Sequence, residues 1–263
     1  MMSSAWIQIH STAFLIIAAL LPANLMARSQ NVNAFLYDEV RVQRQVGIGI
    51  SQHERREDDN VYQKARQISL SGEWSFTDWF SLYLKVPYSD LTRTDSGKVD
   101  YFDHIRIGTK FEGGWQHFGF VGGLYGDLAR GHEKAGDVPH NYGYLEPYGG
   151  MYVDFDWFYA TGAIRWNTET NPKFREVGEE DFRRRWFYDV SLGFRIYSFT
   201  LGADVRYHNL YDPYDQIKKF LEISPGVDWH IGQGFHVSLA GIFYTASESK
   251  NKGIAFAFRK FID

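Results

Sequence analysis

His236 and Ser238 are separated only by Val237. On a strand that spacing puts both side chains on one face, where an imidazole can take the proton of a hydroxyl and make it a nucleophile. His132, Glu133, Asp137 and His140 form a second cluster, of the residue types that hold a divalent metal. Their spacing matches no metal motif, and a solvated polar loop holds such residues without a site. Arg183, Arg184 and Arg185 run directly into Trp186. Guanidinium groups grouped like this suit lipopolysaccharide phosphates, and equally suit a solvated strand cap. Far more numerous than these clusters are charges of both signs recurring at every second residue along most of the chain.

That recurrence fixes the elements. Val40, Val42, Val46, Ile48 and Ile50 alternate with Arg41, Gln43, Gln45, Gly47 and Gly49. Ile68, Leu70, Trp74 and Phe76 alternate with serines and Glu73, and Leu82, Leu84, Val86 and Tyr88 with Ser81, Tyr83 and Lys85. The same period of two runs through 186–196 and 199–207. A period of two means strands with one apolar and one polar face, and we count about twelve of them, an even number as barrels of this class require.

The connections alternate in kind. Short ones fall at Thr77–Trp79, Gly113–Gln116, Phe155–Trp157, Tyr197–Ser198 and His230–Gly234, and longer polar ones at His53–Asn60, Ser89–Tyr101, Ala129–Asn141, Thr168–Arg185, His208–Gln216 and Thr245–Lys252. Each short turn is followed by an aromatic: Phe80, Phe118, Phe158, Phe199 or Phe235. With Trp79 and Trp157 these residues are read as an aromatic girdle at a membrane interface.

The 263 residues contain no Cys, which excludes a disulfide scaffold, a zinc ribbon and a cysteine nucleophile. A mean hydropathy of −0.37 excludes a bundle of membrane-spanning helices. The net charge of −4 gives no electrostatic footprint for nucleic acid. Ala13–Leu21 is an apolar run of signal-peptide length, with Leu25-Met26-Ala27 as a cleavage site, although no Lys or Arg precedes it. Residues 1–27 are therefore expected to be a signal peptide and residues 28–263 one barrel. Twelve staves enclose more than apolar side chains can fill, so the polar face is expected to point inward and the apolar face to meet lipid. A secreted barrel of the opposite polarity is the alternative weighed against it.

Ser75–Tyr88 followed by Asp103–Glu112 resembles the outer-membrane family labelled for the meta-pathway of phenol degradation. The resemblance is carried by Phe76-Thr77-Asp78, Val86-Pro87-Tyr88 and Gly108-Thr109-Lys110-Phe111; Ser75 and Phe102 depart from it. It implies a transporter-like barrel and a hydrophobic or aromatic solute. His236-Val237-Ser238 is similar to the His-x-Ser of lipid A deacylases, except that Leu239 stands where Asn usually follows and the pair sits just after a short turn. The closing strand, with Ile254, Phe256, Phe258 and Phe261, looks like an aromatic-ended assembly signal from which Asp263 departs.

The sequence thus points to an all-β, antiparallel, up-and-down transmembrane barrel in the cell outer membrane. Its expected function is passive passage of small solutes. The lumen would be lined by Arg41, Glu73, Lys85, Arg106, Lys110, Glu112, Asp127, Glu146, Arg165, Asp189, Arg195, Asp204, Arg206, Glu222 and Asp228. Arg206 is expected level with Asp189 and Glu222 on flanking strands, so cross-strand pairing competes with pore lining as the role of these charges. A closed structural barrel with partner-binding loops would instead bring Tyr83, Tyr125, Tyr148, Tyr152 and Arg165 together across the axis. A lipid-modifying hydrolase is the remote third reading. No catalytic residue, cofactor or metal is expected. The expected partners are outer-membrane lipid, lipopolysaccharide and the barrel-assembly machinery, with no nucleic acid, and the solute is unnamed.

Overall fold

The computed structural model describes residues 41–57, 60–93, 97–102, 105–128, 144–169, 185–210, 218–245 and 252–262. The predicted signal peptide, the 132–140 cluster and the Arg183–Arg184 side chains lie outside them.

Thirteen strands follow one another: β1 (Gln45–Glu57), β2 (Asn60–Thr77), β3 (Phe80–Arg93), β4 (Gly97–Phe102), β5 (Ile105–Trp115), β6 (Phe118–Leu128) and β7 (Tyr144–Asp154), then β8 (Phe158–Glu169), β9 (Arg185–Ile196), β10 (Phe199–Leu210), β11 (Lys218–Gly232), β12 (Phe235–Thr245) and β13 (Lys252–Phe261). β4 and β5 both pair with β3, one above the other, so they form a single stave and the wall has twelve. Each stave pairs antiparallel with its sequence neighbour, and β1 closes the cylinder against β13, from Gln45↔Phe261 to Glu54↔Lys252. Among the described residues closure gives each stave a partner on both sides, which a wall in hydrocarbon requires, and only the short upper piece β4 pairs with β3 alone.

Burial is the reverse of a water-soluble barrel. Leu70 (56% exposed), Trp74 (52%) and Phe120 (57%) stand outward, while Glu73 (2%), Lys110 and Asp204 (both 0%) are sealed inside. Such a surface is costly in water and stable in lipid, so the polarity expected from the alternation is the one the fold adopts.

The short turns lie at one rim. Tyr197 (φ 55°) and Gln233 (φ 50°) take the left-handed conformation that tight hairpin turns demand. At the other rim the strands run further than the sequence reading allowed. β1 continues to Glu57 and β2 begins at Asn60, so most of the loop read at His53–Asn60 is hairpin. Those residues are polar on both faces, so no period marked them as strand; ladder pairing alone extends the hairpin.

Three prolines mark gaps in the ladders, because proline has no N–H to donate. Pro147 lies where β7–β8 pairing skips from Leu145↔Thr168 to Tyr148↔Arg165. Pro225 lies where β11–β12 pairing skips from Ile223↔Phe243 to Gly226↔Ala240. Pro87 lies where β3 changes partner, from Arg106 on β5 to Phe102 on β4.

Candidate functional site: the ion-paired lumen

Because inward side chains recur at every second residue and the registers are fixed, charges on adjacent staves meet at set levels. One belt crosses β5 to β11. Arg106 grips Asp127 with both ends of its guanidinium (2.7 and 2.8 Å) and reaches Glu146 at 3.4 Å. Arg165 joins Glu146 (3.2 Å) to Asp189, and Arg206 holds Asp189 through two bonds of 2.6 and 2.8 Å. Arg206 stands directly across from Asp189 on β9 and from Glu222 on β11, the level expected from the sequence. His208 continues the belt to Glu222 at 2.9 Å.

A second group lies nearer the short-turn rim. Lys110 Nζ is 2.6 Å from Glu73 Oε2, and neither side chain retains exposure. Ser81 Oγ donates to the same carboxylate at 2.5 Å. Arg41 lies in this group although it precedes β1 and belongs to no strand. Its guanidinium spans Glu112 on β5 (3.0 Å) and Asp154 on β7 (2.7 Å) and covers the Tyr152 ring at 4.0 Å. Arg195 holds the other oxygen of Asp154 at 2.8 Å. Val42 N–H donates to Glu112, and Gln43 N–H to Glu73. Residues 41–43 therefore form a strap inside the short-turn rim, while the Arg44 carbonyl accepts from Ile262 N–H and its guanidinium covers the outward Trp74 ring. Sequence reasoning missed the strap because the alternation of β1 extends unbroken through it.

The third group answers the question of nucleophilic chemistry. Asp228 accepts from Ser238 Oγ (2.5 Å) and Arg259 (3.0 Å), and lies 2.7 Å from His236 Nδ1. The Ser238 proton is thus directed at a carboxylate rather than at the imidazole, and its residue is 1% exposed. That arrangement lacks the hydroxyl–imidazole bond that activates a serine.

Of the other lining candidates, Lys85 faces the lumen directly across from Arg106, and Asp204, fully buried, lies across from Ser191 and Ser224. Taken singly, buried ion pairs contribute little net stability; removing one partner is what costs heavily.

The large inward tyrosines do not reach for one another across the axis. Four of them lie on a glycine of the neighbouring stave: Tyr125 on Gly108, Tyr148 on Gly123, Tyr152 on Gly119 and Tyr159 on Gly193. Over those seats Tyr83, Tyr125 and Tyr148 touch in series, at centroid separations of 5.7 and 5.1 Å, and Arg165 caps the last two. This fills the β3–β8 half of the lumen sideways.

Outside, the girdle residues cluster by the short turns. Phe80 packs on Trp79 and Phe111, Phe158 on Trp157 and Phe194, Phe199 on Trp229, Phe235 on Phe258, and Phe118 on Phe155. A second belt escaped sequence reasoning: Trp166 stacks on Trp186 (5.9 Å) and Tyr188 on Tyr207 (6.0 Å) toward the other rim. Phe158 and Trp166 are eight residues apart on β8. That is about 26 Å of strand, or about 20 Å after a tilt of about 40°, near the height of a membrane barrel's apolar band.

A closed wall, apolar outside and ion-paired within, between two aromatic belts, defines a membrane-spanning β-barrel. An outer membrane channel from Pseudomonas putida F1 is similar, with TM-score 0.66 at 10% identity, covering 88% of this chain and 100% of that one. The NanC porin is similar at TM-score 0.58 and 9% identity, covering 82% and 100%. The CymD monoaromatic hydrocarbon channel gives TM-score 0.50 and 11% identity over 84% and 89%. At these identities the fold is what is shared. No family model and no curated protein matches the chain, so the likeness of 75–112 to the phenol-pathway family rests on those residues alone.

Proposed function

We propose that this chain is an outer-membrane channel for passive passage of small solutes. The observation that carries the reading is the inverted polarity: a wall built for lipid outside, around a hydrophilic interior. The descriptions of similar barrels as outer membrane channel and porin support it. Hydrophobic or aromatic solutes are the class to test first, on the likeness of 75–112 and the description of CymD as a monoaromatic hydrocarbon channel. Its surroundings would be lipid and lipopolysaccharide, and the apolar final stave, with Phe256, Phe258 and Phe261, suits delivery by the barrel-assembly machinery.

The packed β3–β8 half favours a second reading, a closed structural barrel. The experiment is conductance in a planar bilayer with the full chain expressed in a Gram-negative host and purified from its membranes. Discrete, reproducible steps are expected. A folded, inserted barrel that stays silent overturns the channel in favour of the closed wall.

A further inference from the structure

Serines turned toward the lumen meet two different fates. Ser81 and Ser224 are 0% exposed and Ser238 1%. Ser51, Ser69 and Ser71, of the same type and orientation, keep part of their surface open. The difference lies in their neighbours. Ser69 Oγ lies only 2.9 Å from where a Cβ on Gly49 would be, so its hydroxyl occupies room that a missing side chain provides; at Gly47 that room is shared by the Arg259 stem (3.0 Å) and Ser71 Oγ (3.3 Å). The next inward positions, on β13, are Ala257 across from Gly49 and Ala255 across from Ser51. Two successive rungs of this wall, Ala257–Gly49–Ser69 and Ala255–Ser51–Gln67, therefore carry no ionisable group and no ring. Arg259, across from Gly47, bounds this stretch toward the short turns and His53 bounds it on the other side, while the tyrosines and most of the guanidinium groups fill the opposite half.

We propose that the passage is off-axis: its neutral stretch is a shallow groove on the β13–β1–β2 wall, lined at two successive rungs by small uncharged residues, that takes small neutral hydrogen-bonding solutes. The inference rests on the channel reading and locates it. The ionic belts are then the packing that confines the path; the Gln67 amide is held by Ser89 Oγ at 3.1 Å, and the serine hydroxyls are what a solute meets. An uncharged solute loses little there, because those groups replace its water contacts. A charged one finds no counter-ion on the two neutral rungs.

The cysteine-free chain allows a direct test. Ser51→Cys, Ser69→Cys and, as the sealed control, Ser224→Cys are treated with a small neutral, water-soluble methanethiosulfonate. Conductance is followed in bilayers, and mass gain is followed on the folded protein in detergent, with folding checked by heat-dependent gel migration. The expected result is labelling at 51 and 69 with conductance cut at least twofold, and neither effect at 224. Labelling of 224 as fast as 69 overturns the groove. If the parent barrel conducts while 51 and 69 neither label nor block, the channel stands and the groove falls. If the parent neither conducts nor admits glycerol while 51 and 69 still label and 224 does not, the channel reading falls and the groove is a recess in the wall rather than a passage. In liposome swelling, glycerol should enter at least fivefold faster than glycerate; equal rates overturn the neutral preference.

Discussion

Tyr125 lies flat on Gly108, its partner directly across the β5–β6 ladder, so closely that a methyl on Gly108 would stand 2.2 Å from Tyr125 Cδ1. The glycine is a seat for the ring, and the ring covers the backbone that the glycine exposes. Gly108→Ala is expected to lower stability by about 1–3 kcal/mol, the usual cost of overpacking. In a Tyr125→Ala background the same change should cost almost nothing. Urea titrations of the four variants in detergent measure the coupling, and additive losses would show the two residues to be independent.

Glu73 and Lys110 are each other's charge partner with no exposure left to either side chain. Lys110→Met is expected to cost about 3–5 kcal/mol, since it strands a buried carboxylate. Adding Glu73→Gln to it should restore most of the loss. The readout is the urea midpoint of single and double variants, and a double variant weaker than Lys110→Met would contradict the pairing.

Arg41 ties the strap to Glu112 on β5 and Asp154 on β7, across the intervening stave β6. Replacing it with Ala leaves two carboxylates without this cation and frees the strap to leave the mouth. Unit conductance should rise, by about twofold or more, and the folded band should melt earlier on heating. A change in melting with conductance unaltered would make the strap a brace rather than an obstruction.

Leu70 is more than half exposed at mid-stave, beside Ile48 and Val86. Leu70→Arg is expected to destabilise the barrel in lipid vesicles by about 2–4 kcal/mol, as for a cation at the bilayer midplane. A near-neutral effect would mean that this face does not meet hydrocarbon.

Much of this architecture was legible because strand alternation is local. The inward orientation of the residues from Glu73 to Asp228, the rung Asp189–Arg206–Glu222 and three of the five short turns follow from period, parity and turn length alone. The turns read at Gly113–Gln116 and His230–Gly234 are shorter than expected, because β5 continues to Trp115 and β11 to Gly232 through glycines that read as turn residues. What was not legible depends on partners far apart in the sequence. Nothing near Arg41 announces Asp154, 113 residues away. Glycines 108 and 123 carry no local sign of a packing role, because the rings that need them lie on the next stave and register must be known first. Trp166 and Trp186 are likewise unremarkable singly and become a belt only once they are paired across β8 and β9. The groove on β1 had the weakest signal of all, since it is made by side chains that are small.

The closure of β1 on β13 places Gln45 beside Phe261, and therefore brings the two ends of the barrel's chain to neighbouring points on one rim. The strands made first and last in synthesis must find each other, so the cylinder is an all-or-none object with respect to chain length. Losing the last stave would expose the edges of both β1 and β12, not one edge alone. The same adjacency makes the order of the staves cyclic rather than linear. A short bridge across that rim, with a new opening cut between β9 and β10 at Tyr197–Ser198, would give a circular permutant with every ladder unchanged.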